Sequence, residues 1–161
     1  MTKEIIDILE SLFIHYERID HPAVYTSEEA RQLVPHRPAK VAKNLFLRDK
    51  KGKRHILLVV DDKKSVQFKD IERQTGLTHL SMGSPARLER HLGVTPGAVS
   101  LLALINDSEG KVEVLIDRDL WEGEEIQAHP LVNTATVVMA IVDMEQFIEH
   151  SGHNIQFVDV A

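Results

Sequence analysis

The 161-residue chain has no cysteine. That excludes disulfides, a thiolate nucleophile and any cysteine-built zinc site, and it suits a reducing compartment. Long apolar runs are missing as well. The longest, "ILLVV" at 56–60, is strand-sized, far short of the roughly 20 residues that cross a bilayer. The N-terminal "MTKEIIDILESLF" is too charged for the core of a signal peptide. A soluble, unanchored, cytoplasmic protein with no membrane partner is therefore expected. Familiar chemical motifs are also lacking: there is no Walker A, no G-x-G-x-x-G and no H-E-x-x-H. Nine histidines raise the question of a metal. Only His150 and His153 are close enough to share a helical face, and they straddle Gly152. No serine sits on a nucleophile elbow. Metal-assisted and serine-nucleophile hydrolysis are both disfavoured.

What is present is ordinary globular composition, 43% hydrophobic and 27% charged. The length suits one domain spanning 1–161, large enough to bury roughly 70% of its unfolded surface. The net charge of −6 argues at first against a nucleic-acid partner. Its distribution argues the other way. Residues 37–54 carry Arg37, Lys40, Lys43, Arg48, Lys50, Lys51, Lys53 and Arg54 against the single acid Asp49. Local clusters rather than totals make an electrostatic footprint. A solvated hairpin turn accounts for the same residues.

Periodicity organises the chain without repeats or linkers. Ile5, Ile8, Leu9, Leu12 and Phe13 recur at helical spacing. Short extended segments, "YERID" and "VYT", flank His21-Pro22. Thr26 and Glu29 form a capping box for a helix to about Leu33, and Pro35 and Pro38 then impose a loop. "NLFLRD" and "RHILLVV" read as a β-hairpin turning at Gly52. "FKDIERQTG" reads as a helix stopped by Gly76. "THLSM" is a short strand. "SPARLERHLG" is a helix with Ser84 as cap, Pro85 in its first turn and Gly93 at its end. "LLALI" and "KVEVLID" are expected as a second hairpin around "NDSEG". "IQAH" and "TATVVMAI" are further strands. Asp143 is expected to cap the helix "MEQFIEHSG", and "NIQFVDV" closes as a strand. About five helices and eight strands give an α+β fold with a mixed, mostly antiparallel sheet.

Three loop features carry candidate chemistry. Lys43 and Asn44 stand at the mouth of the strand "VAKNLFL". A lysine there can snorkel, its stem on apolar neighbours, or hold a phosphate or a carbonyl oxygen that gains charge. "GVTPGAVS", 93–100, reads as a helix end followed by a turn. It equally reads as a rigid loop that meets a small ligand with its backbone. His129, in "HPLVNT", is a strand-end histidine bonded to a carbonyl or a group held at a site.

In order and spacing, "HPAVYTSEEA", "KNLFLRDKKGKRHILLVV", "LGVTPGAVS", "LIND", "HPLVNTATV" and the closing "FIEHSGH" resemble the YbaK/ProX-like aminoacyl-tRNA editing domain. Its free-standing prolyl-tRNA editing branch is the nearest. The resemblance runs from about His21 to Val160. It implies a compact α+β domain, with a barrel-like central sheet flanked by helices, and hydrolysis of the alanyl ester of a mischarged proline tRNA. It implies no cofactor and no metal. Lys43 falls on the family's catalytic lysine. Asn44, the loop residues Gly97, Ala98, Val99 and Ser100, and His129 fall on substrate-binding positions, with Gly83 and Ser84 as weaker correspondences. The basic turn, Arg48, Lys50, Lys51, Lys53 and Arg54, would face the acceptor end of tRNA(Pro), and a prolyl-tRNA synthetase is a possible partner.

Two departures bear on pocket size. The loop continues as Leu101-Leu102 where the family usually has proline and an aromatic or glycine. The stretch "VPHRPAKVA" lacks the family's usual glycine. Cys-tRNA(Pro) is the alternative substrate, and a module that binds tRNA or a synthetase without hydrolysis is the alternative class.

Overall fold

The computed structural model describes residues 2–23, 32 and 39–161. The Thr26–Glu29 capping box, the strand "VYT", the Pro35–Pro38 loop and Arg37 lie outside the described residues. The elements run α1 (Thr2–Ser11), β1 (Tyr16–Asp20), β2 (Ala42–Arg48), β3 (His55–Asp61), α2 (Phe68–Thr75), β4 (Ser81–Met82) and α3 (Pro85–Leu92). Two short 3₁₀ segments follow, Pro96–Ala98 and Leu101–Asn106. The rest is β5 (Val112–Asp117), α4 (Arg118–Trp121), β6 (Glu125–Ala128), β7 (Ala135–Ala140), α5 (Ile141–His150) and β8 (Ile155–Val158).

The strands form a three-stranded antiparallel sheet, β1-β7-β6, and a five-stranded mixed sheet, β4-β2-β3-β5-β8. In the larger sheet β2 is antiparallel to β3 and β4, whereas β5 is parallel to β3 and β8. Among the described residues the sheets meet at a parallel bridge, Lys40 to Ile126. There Lys40 N–H donates to Glu125 O at 2.9 Å, and Gln127 N–H donates to Lys40 O at 3.0 Å. They do not close into a barrel, so the expected barrel-like sheet is in fact two open sheets joined at a corner.

β3 explains the run "ILLVV". It is central and covered on both faces, and so needs no polar alternation. Leu57 and Val59 face the main core with α1, α3 and α5. Ile56, Leu58 and Val60 face a second core with Leu47, Leu115 and Ile71 of α2.

Two sequence expectations fail. "LLALI" is a 3₁₀ segment, with Ser100 Oγ accepting from Leu102 N–H at 3.2 Å. Both edges of β5 are already taken, by β3 and β8, so no hairpin partner fits there. An apolar run of five residues carries no period that would have decided this. Asp143 is not a cap either. The helix starts at Ile141 straight from β7, with Ile141 N–H on Glu124 O at 2.9 Å. Asp143 lies in its first turn, where a carboxylate complements the helix dipole.

Candidate active site at the mouth of β2

Lys43 and Asn44 are consecutive on β2, paired with Val60 and Val59, so pleating sends them to opposite faces. Asn44 shares the face of Ala42 and Phe46, toward the main core that holds Ala98 and Val99. Lys43 shares the face of Leu45 and Leu47. Its ammonium, half-buried, donates to Lys64 O. That carbonyl belongs to a braced segment: Lys64 Nζ reaches Asp117 Oδ1 at 3.0 Å, Asp119 Oδ2 at 2.8 Å and Val160 O at 2.8 Å. Burial works to lower the pKa of Lys64, but its bonds to Asp119 and Asp117 prevail and raise it. A snorkelling lysine would leave its ammonium in water, whereas that of Lys43 is held by the Lys64 carbonyl.

The Pro96–Ala98 turn leads into extended Val99 and Ser100. Ser100 is buried and its hydroxyl donates to His129 O at 2.7 Å. The loop 97–100 and His129 are therefore fastened together. His129 Nδ1 lies 2.9 Å from Ala135 O. A carbonyl can only accept, so Nδ1 carries the proton and Nε2 of the neutral ring keeps a lone pair. Burial pushes the ring's pKa below its ordinary 6.5. The Ala135 carbonyl opposes this and His21 adds to it. Two residues on, Leu131 has a φ of 67° with its side chain buried in the main core. A bulky residue holds that conformation only when its surroundings enforce it.

The corner bridge relates these groups. Lys43 follows Lys40 by three residues, and His129 follows Ile126 by three. The bridge is parallel, so both segments leave it in the same direction. Each residue lies within ~11 Å of the corner along the chain.

Other expected residues lie elsewhere. Gly83 N–H donates to Phe46 O at 2.8 Å, and a Cβ on Gly83 would stand 2.6 Å from the Phe46 ring. Ser84 caps α3 by accepting from Arg87 N–H at 3.2 Å. Both sit toward the Arg48 end of β2. The turn carrying Arg48, Lys50, Lys51, Lys53 and Arg54 is at that end too, roughly 17 Å along the strand from Lys43. Arg54 is occupied by Glu113, at 2.8 and 2.6 Å. Of the two spaced histidines, His153 bonds Asp107 at 2.7 Å and Ser151 at 2.9 Å. This has the order of a hydrolytic triad, but all three residues are buried and the Ser151 hydroxyl donates to Ile148 O at 2.7 Å. It locks the end of α5. Among the described residues no group of three or more His, Asp or Glu is placed to hold a metal, and no helix is long and apolar enough to cross a membrane.

Residues 21–147 match the profile of the aminoacyl-tRNA editing domain. The chain belongs to the aminoacyl-tRNA editing family. The prolyl-tRNA editing protein ProX of Acetoanaerobium sticklandii is 36% identical over 156 residues, which cover 97% of this chain and 95% of that protein. The prolyl-tRNA synthetase associated domain-containing protein 1 of Danio rerio is 35% identical, with 95% and 84% covered. A solved structure described as a candidate trans-editing enzyme for prolyl-tRNA synthetase superposes with a TM-score of 0.76 at 21% identity, covering 99% of this chain and 95% of that one. That likeness establishes the compact α+β fold.

In this editing domain, three residues at the two ends of β2 escaped sequence reasoning. His21 leaves β1 with its N–H on Thr134 O at 3.0 Å. Its Nδ1 meets Pro22 O at 2.7 Å and its Nε2 meets Thr136 Oγ1 at 2.8 Å. Its ring is 6.3 Å from that of His129. The only signal was the repeated His-Pro pair, 21–22 and 129–130. Lys64 and Arg87 gave none, because their partners are distant in sequence.

Proposed function

We propose that this protein is a trans-editing deacylase that hydrolyses the alanyl ester of mischarged tRNA(Pro). Family membership supports aminoacyl-ester hydrolysis, and the prolyl-tRNA names of the relatives support the tRNA. The observation that carries the reading is His129. Its ring is fixed by Ala135 O, its backbone by Ser100, and its Nε2 is left as an acceptor.

An aminoacyl ester is already activated, so a placed water and a stabilised oxyanion suffice. Water attacks the ester carbonyl. His129 Nε2 accepts the water's proton as the new C–O bond forms. The proton then passes to the 3′-oxygen of the terminal ribose as the ester bond breaks, releasing alanine and free tRNA. Lys43, at the same strand mouth but on the opposite face of β2, supplies the positive charge for the terminal phosphate. Asn44 and the backbone of 97–100 orient the aminoacyl group, and His21 holds the far side of His129. Selectivity is by exclusion, through a site that takes alanine and is too small for proline. This is needed because a synthetase pocket discriminates by only about 10–200-fold per methylene. The basic turn at 48–54 meets the acceptor stem, and a prolyl-tRNA synthetase is the natural source of the mischarged tRNA.

The test is deacylation of Ala-tRNA(Pro), Cys-tRNA(Pro), Pro-tRNA(Pro) and Ala-tRNA(Ala) by the purified protein. Hydrolysis of Ala-tRNA(Pro) well above the others is expected. Hydrolysis of the cysteinyl ester alone would overturn the substrate, and hydrolysis of none would leave a binding module.

A further inference from the structure

At the end of β2 away from Lys43, two guanidinium groups converge on one glycine. A Cβ built on Gly52 would lie 2.9 Å from Arg87 Nη2 and 3.1 Å from Arg48 Nη2. The two come from separate elements, α3 and β2, and the turn holds both. Arg87 Nη1 donates to Gly52 O at 3.1 Å and to His55 Nε2 at 3.0 Å. Arg48 donates through Nε to Asp49 O and through Nη2 to Lys50 O, each at 3.3 Å. Beneath them the Phe46 and His55 rings stack at 5.6 Å, and the His91 ring lies 3.9 Å from that of His55. The platform is rigid and its turn is pinned, with Lys50 N–H on Thr78 O at 3.1 Å.

Two like charges this close repel unless something negative lies between them. Among the described residues no carboxylate is within salt-bridge reach of either group. The acid in the turn, Asp49, has its Oδ1 on Lys53 N–H at 2.9 Å and Arg54 N–H at 3.1 Å and forms no ion pair with either guanidinium. Glu113 is taken by Arg54. Each guanidinium has five N–H donors in a fixed fork, and the turn carbonyls and His55 use only part of them. Exposed Lys50, Lys51 and Lys53 surround the pair.

We infer that Arg48 and Arg87 flank Gly52 as a built site for a backbone phosphate of RNA, a guanidinium clamp that fixes the acceptor stem while the aminoacyl end reaches the mouth of β2. Paired forks match phosphate geometry better than lysines do. The inference rests on the RNA-substrate reading above and adds Arg87, which lies outside the basic turn. The roughly 17 Å between this end of β2 and Lys43 is a span that a short single-stranded tail bridges.

The experiment measures binding of an unacylated acceptor-stem RNA hairpin with a single-stranded 3′ tail to the full chain, at several salt concentrations. Carrying no ester, this probe reports independently of hydrolysis, so its outcome and that of the deacylation panel can fail separately. Arg48→Gln should weaken binding about tenfold and lower the salt slope by about one contact. Arg87→Lys keeps the charge and one donor to the turn but loses the fork. It should weaken binding at least threefold with an unchanged circular dichroism spectrum. Lys3→Gln, on α1, should bind as the wild type. Wild-type affinity and slope in Arg48→Gln, equal losses in Lys3→Gln, or no RNA binding by the wild-type protein would each overturn the clamp.

Discussion

At the scale of single residues, function and stability separate cleanly. Lys43 sits half-buried at a strand mouth with one carbonyl partner, so Lys43→Ala should cost at least 100-fold in kcat/KM for Ala-tRNA(Pro). Its melting temperature should stay close to wild type, as thermal unfolding would report. His129 works as an acceptor only when neutral. Because burial lowers its pKa, the acid limb of the rate should lie below the pH at which an ordinary imidazole titrates. His129→Gln should lose most of kcat and flatten this acid limb in a pH–rate profile. Gly83→Ala tests the opposite case. The new methyl drives into the Phe46 ring, and overpacking of this kind costs about 1–3 kcal/mol in urea unfolding. The same residue scale was the most legible in the sequence. Gly76, Gly93 and Ser84 end or cap their helices as their residue types require. His21 and Arg87 were not legible, since a histidine or an arginine has no local signature of its partner.

At the scale of elements, two packing devices set behaviour with pH and mutation. His55 joins β3 to α3 as a buried ring that accepts from Arg87. Burial, then His91 and Arg87, push its pKa down to about 4, with Asp49 opposing and Arg48 adding. The unfolded chain binds this proton near 6.5, so the neutral ring favours the fold above pH 6.5 and the advantage is lost as pH falls toward 4. Its full size is about 3 kcal/mol. Urea unfolding at pH 7 and pH 4.5 should show that drop in the wild type, and His55→Gln should show much less of it. Lys64 ties the segment after β3 to β5, α4 and the chain end. Lys64→Met leaves Asp117, which is 1% exposed and keeps the N–H bonds of Asp61 and Asp119, without its cation, at a cost of about 3–5 kcal/mol. Adding Asp117→Asn should restore part of the stability, while activity stays low because the carbonyl facing Lys43 is no longer held. Helices α1, α2 and α3 and the β2–β3 hairpin were readable from period and turn residues. "LLALI" was not, since an unbroken apolar run suits a buried 3₁₀ segment as well as a strand.

At the scale of the whole molecule, the sequence alone determined the α+β class, the hairpin at Gly52 and the family. These follow from hydrophobic period, backbone-specific residues and ordered motifs, all of which act over short distances along the chain. Only the tertiary structure decided that two open sheets meet at Lys40 and Ile126, that pleating parts Lys43 from Asn44, and that Ser100 fastens the 97–100 loop to His129. It also decided that the basic turn gains a second guanidinium from α3. Each of these depends on which strand edges and side-chain donors meet across the fold. That choice is made by the packing of the whole chain and leaves no trace in local spacing.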